Sequence, residues 1–145
     1  MAFMESTSSR TDRIGLAFDT ARLHARGLCE VDEQLFCALF CDPEVMRFIG
    51  TPLTPERAAR KFRAAIEGHG RDDAILAISE RRTGNPIGIC SIHKIDRVRR
   101  GAEAGMVLLT EHQAQGYTKE AFPALVTHAF ARLPIDELRV RIADA

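Results

Sequence analysis

The chain has 145 residues, 46% hydrophobic and 28% charged, a size and composition suited to one domain with one well-filled core. Twenty basic residues balance twenty acidic ones, so no net field draws the chain to nucleic acid or to an anionic membrane. No run approaches the ~18 apolar residues of a membrane span, and the first residues lack the apolar stretch of a secretory signal.

Residues 1–18, rich in Ser, Thr and Arg, read as a flexible lead-in to a single domain over 19–145. Loose alternation over 20–28 predicts a first strand. Asp32 is placed to cap a helix whose Leu35, Phe36, Leu39 and Phe40 keep helical spacing, and Asp42-Pro43 should end it. Glu44 to Ile49 adds a short turn. Thr54-Pro55-Glu56 combines an N-cap, a proline at the first helical position and an acid in the first turn. It predicts a helix to about Gly68, with Ala58, Ala59, Phe62, Ala65 and Ile66 turned inward.

From Asp73 the period switches to two. Ala74–Glu80, Pro86–Ile95 and Ala102–Leu109 read as an antiparallel meander, joined by the turn Thr83-Gly84-Asn85 and a charged loop over 96–101. A glycine-bearing loop follows, then a helix with the stripe Ala121, Phe122, Leu125, Val126, Ala129, Phe130 and Leu133. Pro123 removes one hydrogen bond from that helix, at a cost of up to ~3 kcal/mol, and predicts a kink or a late helix start. Asp136–Ile142 is a last strand, and the helix crossing over before it favours a parallel pairing with the strand at 102–109.

The junction after Leu109 carries the chemistry. A strand, a short loop with Gly116 and a helix starting near Thr118 leave unpaired N–H groups at a positive helix terminus, which binds anions. Gly116 lets the backbone come close to a phosphate. Most such junctions bind nothing, so the loop alone decides little.

Its residues decide more. Gln113-Ala114-Gln115-Gly116-Tyr117-Thr118 resembles the Gln/Arg-x-x-Gly-x-Gly/Ala motif of the GNAT (Gcn5-related) acetyltransferase superfamily. Residues 20–26, 42–50, 84–89, 102–109 and 119–130 resemble the ribosomal-protein N-acetyltransferase branch in the same order, over about 20–143 of the chain. The resemblance implies the α/β GNAT acyl-CoA N-acyltransferase fold, a mixed and mostly antiparallel sheet flanked by helices. It implies direct transfer of an acetyl group from acetyl-CoA to a primary amine, without a metal. By that likeness Gln113, Ala114, Gln115, Gly116, Tyr117 and Thr118 form the pyrophosphate loop. The backbone of Met106, Val107, Leu108 and Leu109 would pair with the pantetheine arm, and an N–H near Val107 or Leu108 would polarise the thioester carbonyl. The strand at 102–109 should splay from 136–142 to open the cleft. Glu103, in the segment Ala-Glu-x-Gly, matches the glutamate that acts as base in some relatives, and a partly buried carboxylate there would have a raised pKa. The plain alternative for Glu103 is a surface acid facing Arg97, Arg99 and Arg100.

Two departures from the family pattern stand out. Thr118 replaces a small residue, so its branched side chain crowds the phosphate, donates to it or caps the helix. The chain stops at Ala145, where relatives continue with a helix, two more strands and a tyrosine that often acts as acid, so the fold is expected to lack those last elements. Tyr117, the only tyrosine, lies in the phosphate loop and is assigned no acid role. The unpaired edge of the last strand predicts a homodimer or strand exchange through 136–143. The acceptor, a protein N-terminus or a small amine, stays open. So do two other readings, a non-catalytic CoA-binding or assembly module and an inactive fragment.

The remaining residues read more plainly. Cys29, Cys37, Cys41 and Cys90 have neither disulfide-framework nor zinc spacing, so they read as reduced thiols of a cytoplasmic protein. Phe36, Phe40, Phe62, Phe122 and Phe130 read as core; Arg47-Phe48, in the region that lines the acceptor side in relatives, could touch substrate, though a solvated arginine beside a core phenylalanine is the favoured reading. His93 and His112 lie nearest the expected cleft and are assigned no role.

Overall fold

The computed structural model describes residues 15–67 and 73–142, and six strands form one sheet in chain order. They are β1 (Phe18–Asp19), β2 (Leu23–Gly27), β3 (Ala74–Glu80), β4 (Pro86–Asp96), β5 (Gly101–Leu108) and β6 (Glu137–Ile142). Every neighbouring pair is antiparallel except β5–β6, which is parallel because a helix crosses over between the two. The tight β3–β4 turn uses Gly84 at φ +78°, with the Gly84 N–H bonded to Glu80 O at 2.7 Å.

Helices cover both faces. Cys90 and Ile92 of β4, with Ala102, Ala104, Met106 and Leu108 of β5, pack on Ala121, Leu125 and Ala129 of the long helix Tyr117–Arg132. Ala77 and Ile89 turn the opposite way, onto a second core with Leu35, Phe36 and Leu39 of the helix Glu33–Phe40 and Phe62 and Ile66 of the helix Pro55–Ile66. In chain order these helices are α1 (Glu33–Phe40), α2 (Pro43–Met46), α3 (Pro55–Ile66) and α4 (Tyr117–Arg132). Fully buried leucines such as Leu39 and Leu125 each contribute about 1.5–3 kcal/mol. Among the described residues no helix is long and apolar enough to cross a membrane.

The cap signal of α3 is realised, and Asp42, expected to end α1, also caps α2. Asp42 Oδ1 accepts the Glu44 N–H at 2.9 Å, and Thr54 Oγ1 accepts the Arg57 N–H at 3.2 Å. Asp32 precedes α1 as expected, but its side chain makes no cap bond. It is buried and takes the fork of Arg26 at 2.8 and 2.9 Å, together with the Cys29 N–H at 2.8 Å.

Several expectations are corrected. Leu16 and Phe18 lie in the core, so the folded unit starts before residue 19; residues 1–14 fall outside the described part. The helix α3 ends at Ile66, close to the expected end at about 68, a residue outside the described part. The helix α4 begins at Tyr117, well ahead of Pro123, so no late start occurs. Phe130 is 45% exposed and Phe48 62% exposed, so neither belongs to the core.

The expected splay is also smaller than a divergence along the whole of 102–109. β5 and β6 stay in register from Gly101 opposite Glu137 to Met106 opposite Ile142. A fork from Arg100 to Asp136 at 2.8 and 3.1 Å ties the two strand starts together. Val107, Leu108 and Leu109 run on past the last registered pair. β6 is the last strand of the sheet among the described residues, and residue 143 of the expected exchange segment lies outside them.

Candidate active site

The chain leaves β5 through a loop that two left-handed residues shape. The Leu109 N–H bonds Ile87 O at 2.9 Å, a 3-10 turn spans Thr110–His112, and the Gln113 side-chain amide donates to Leu108 O at 3.1 Å. Ala114 then sits at φ +61° and Gly116 at φ +82°. For alanine this conformation is strained, and such strain gathers where a backbone must be aimed. Gly116 is the N-cap residue, and the first helical bond runs from the Glu120 N–H to Gly116 O at 3.1 Å. The N–H groups of Tyr117, Thr118 and Lys119 therefore have no acceptor within the helix and point from its positive end. Ala114, Gln115 and Gly116 are exposed, so the cradle opens to solvent.

Arg22 braces this loop from β2's side. Its guanidinium lies over the Tyr117 ring at 4.5 Å, donates to Gln115 O at 3.3 Å and meets Glu120 Oε1 at 2.6 Å. Glu120 also accepts the Arg22 N–H and the Thr20 hydroxyl. Burial pushes the Glu120 carboxyl up, but these hydrogen bonds outweigh it and hold its pKa below the ordinary carboxylate range. Tyr117 is buried on the α4 side, and its hydroxyl donates to Glu80 Oε2 at 3.0 Å. Burial first, and the bond to Glu80 second, raise its pKa. A phenol so committed is a structural donor.

Thr118 Oγ1 is buried and has no hydrogen-bond partner among the described residues. An orphan hydroxyl of this kind costs about 1–3 kcal/mol. In the first turn of a helix whose free amides suit an anion, a phosphate oxygen is the group that would satisfy it. The loop thus fits a diphosphate on its own geometry.

The other half of the site lies on the sheet face away from α4. A cavity of about 670 Å³ opens between β3, β4, β5, β6 and the helices α1 and α3. Phe40, Ile75, Ile89 and Val107 give it apolar walls, and Lys61, Asp73 and Lys94 supply charge. Ser91 and His93, two apart on β4, project from the same strand face into it. Their partners in register are Gly105 and Glu103. Ser91 Oγ lies 3.2 Å from His93 Nδ1, and His93 Nε2 lies 3.2 Å from Glu103 Oε1. Beyond His93 the register shifts, so that Lys94 and Ile95 oppose Ala102 alone. Lys94 sits there at φ +53°, its N–H bonded to Asp73 Oδ1 at 3.2 Å and its Nζ 3.7 Å from Glu103 Oε2. Arg139 Nε reaches the same Glu103 oxygen at 3.6 Å.

Glu103 is therefore not the raised carboxyl expected of a lone buried acid. Its side chain is 13% exposed, and burial alone would push its pKa up. Lys94, His93 and Arg139 outweigh that and lower it, so the group is held ionised. Its cationic neighbours are Lys94 and Arg139, not the Arg97, Arg99 and Arg100 of the plain alternative.

Of the sequence-derived site residues, the structure gathers Gln113, Ala114, Gln115, Gly116, Tyr117 and Thr118 at the head of α4. It sets Met106, Val107, Leu108 and Leu109 on the strand leading there, and Glu103 further back on the same strand. Met106 and Val107 also line the cavity, so β5 joins the two halves. Sequence reasoning passed over Ser91 and Lys61 and gave His93 no role; it weighed Phe48 for substrate contact but favoured the core, whereas Phe48 is exposed and lines the cavity. The usable signal was a strand Ser-x-His facing a strand glutamate. Among the described residues no group of His, Cys, Asp and Glu side chains could hold a metal ion. The Cys29 and Cys37 thiols are raised chiefly by burial, as befits inert thiols.

Known proteins resemble the chain in sequence and fold. The family model of the acetyltransferase (GNAT) domain matches residues 22–145. The chain is 27% identical over 129 residues to the uncharacterized N-acetyltransferase p20 of Bacillus licheniformis, covering 85% of this chain and 71% of that protein. It resembles in structure the spermidine N-acetyltransferase of Vibrio cholerae in complex with CoA and spermine, with a TM-score of 0.73, 18% identity, and 81% and 69% of the two chains covered. It also resembles RimL, the ribosomal L7/L12 alpha-N-protein acetyltransferase in complex with coenzyme A, with a TM-score of 0.71, 18% identity, and 86% and 73% covered. At such identities the two solved structures speak to the fold.

Proposed function

The chain belongs to the GNAT acetyltransferase family, and on that premise we propose that it moves an acetyl group from acetyl-CoA directly to a primary amine, of a protein N-terminus or a small molecule. One observation carries this reading: a single strand, β5, lines the cavity with Met106 and Val107 and then runs into the amide cradle at Gly116.

The roles follow the geometry. The N–H groups of Gln115, Gly116, Tyr117 and Thr118, with Gln113 and Ala114 shaping the loop, receive the pyrophosphate, and the Thr118 hydroxyl supplies one more donor. The strand end Met106, Val107, Leu108 and Leu109 holds the pantetheine arm, and an N–H near Val107 or Leu108 faces the carbonyl oxygen where charge develops. When bound, acetyl-CoA supplies the activated acyl group. The apolar walls of the cavity exclude water from it, and Glu103 anchors the proton transfer that the incoming ammonium requires. The outer edge of β6, with Val140 49% exposed, supports pairing of two copies through 136–143. Sedimentation across a concentration series tests that pairing; twice the chain mass is expected, and a monomer at the highest concentration contradicts it.

Calorimetry with coenzyme A, followed by thioester turnover with a panel of amines, tests the main reading. Binding and turnover of at least one amine are expected. Binding without turnover of any amine points to a non-catalytic coenzyme A module, and the absence of both heat and a melting shift contradicts the reading outright.

A further inference from the structure

The proton that the acceptor ammonium must lose has a built route out of the cavity. Ser91, His93 and Glu103 form a chain of two 3.2 Å contacts on one face of β4 and β5. Its inner end, Ser91, lines the cavity opposite Gly105, one residue from Met106 on the strand assigned to the pantetheine arm. Its outer end, Glu103, is anchored by Lys94 and Arg139. We propose that His93 is the general base of the reaction, reached through the Ser91 hydroxyl, and that Glu103 is a positioning residue that fixes the imidazole. This inference rests on the acetyltransferase reading above and deepens it.

The hydrogen-bond logic sets the direction. Glu103 is ionised, and a carboxylate only accepts, so His93 Nε2 must carry the ring proton. His93 Nδ1 is then the acceptor, and Ser91 Oγ–H donates to it. A neutral imidazole with a free acceptor nitrogen at the end of a hydroxyl is arranged to take a proton. The step balances. An N–H bond of the ammonium breaks and its proton passes to Ser91 Oγ, while the Ser91 proton passes to His93 Nδ1. The amine is left neutral with its lone pair free, serine is unchanged, and the positive charge moves to an imidazolium whose Nε2–H stays on the Glu103 carboxylate. Glu103 cannot itself be the direct base in this geometry, because His93 stands between it and Ser91 and two further cations hold its charge.

The surroundings favour this relay. Among the described residues the charged groups around His93 are Glu103 from β5, Lys94 from β4, Arg139 from β6 through Glu103, Asp73 just before β3 through the Lys94 N–H, and Lys61 from α3 across the cavity. Glu103 is, among the described residues, the only carboxylate in direct contact with the ring.

Two measurements test the relay, one of them independent of turnover. Long-range proton–nitrogen NMR correlations of the full chain should show His93 as the Nε2–H tautomer; the Nδ1–H tautomer overturns the proposal. Steady-state kinetics with spermine and with a peptide bearing a free N-terminal amine then compare three variants. His93→Ala should lose about 10²–10³-fold in kcat/KM at pH 7, a loss that shrinks as pH rises and the amine arrives deprotonated, with coenzyme A affinity unchanged. Ser91→Ala should show the same pattern to a lesser degree. Glu103→Gln should keep most of its rate at high pH and move the acid limb of the profile to lower pH, since the neutral amide still accepts from Nε2–H but no longer favours the imidazolium. An unaltered His93→Ala profile, or an acid limb abolished by Glu103→Gln, overturns the relay while leaving the acetyltransferase reading intact. Failure of the unmodified protein to bind coenzyme A sinks that reading instead.

Discussion

Substituting Gly116 by alanine separates what the cradle's glycine does for the fold from what it does for the ligand. Gly116 sits at φ +82°, and an L-residue held there costs roughly 1–2 kcal/mol. The added Cβ would lie 3.5 Å from Arg22 Nη2, an ordinary contact that adds no clash. The expected loss of stability is therefore ~1–2 kcal/mol, or about 2–8 °C in Tm for a chain of this size. Gly84 is the matched control, with φ +78° and open space around its Cβ, in a turn that contributes no amide to the cradle. Gly84→Ala should lower Tm by a similar amount. The two variants should part in calorimetry: Gly84→Ala binds coenzyme A like the unmodified protein, whereas Gly116→Ala places a methyl on the exposed phosphate-facing bend and weakens binding at least ~10-fold, or about 1.4 kcal/mol. Equal affinities in the two variants, at equal loss of Tm, would falsify the claim that the phosphate approaches the backbone at Gly116.

Other substitutions test the supporting structure. At Gly88 a Cβ would fall 2.2 Å from Val107 O and 2.7 Å from Leu108 Cδ2, so Gly88→Ala must part β4 from β5. A loss of about 3 kcal/mol in urea unfolding is expected, and a loss under ~1 kcal/mol means the strands are not so close. Thr118→Ala removes an orphan buried hydroxyl, so it should leave stability unchanged or higher while weakening coenzyme A; weaker stability with unchanged affinity contradicts the role given to that oxygen. Glu120 has a lowered folded pKa, so its contribution is present above the ordinary carboxylate pKa and is lost as pH falls through the depressed value. The urea midpoint should drop on acidification below about pH 4.5, and Glu120→Gln should flatten that drop. An equally steep drop in the variant refutes the assignment to Glu120.

The parts of the fold that were legible were those written locally. Thr54-Pro55-Glu56 carries its own cap, the α4 stripe its own period, and the crossover before β6 its own parallel pairing. The cradle was legible because its loop is contiguous. What escaped depends on partners distant in sequence. Asp32 looks like a helix cap until Arg26 from β2 takes both its oxygens. Glu103 looks like a lone acid until the kinked Lys94 and the neighbouring Arg139 reach it, reversing the expected shift of its pKa. Phe130 fits the apolar stripe by spacing, yet it is 45% exposed. The Ser91–His93–Glu103 chain needed the β4–β5 register, which no single strand reveals.

The account rests on amides at the head of α4 that meet a diphosphate, and amide chemical-shift mapping reads those groups one by one. Titration with coenzyme A should move the N–H resonances of Gln115, Gly116, Tyr117 and Thr118 the most, and pantetheine, which lacks the diphosphate, should leave them nearly still. Saturable binding of coenzyme A with those four resonances unmoved would place the ligand elsewhere and contradict the account.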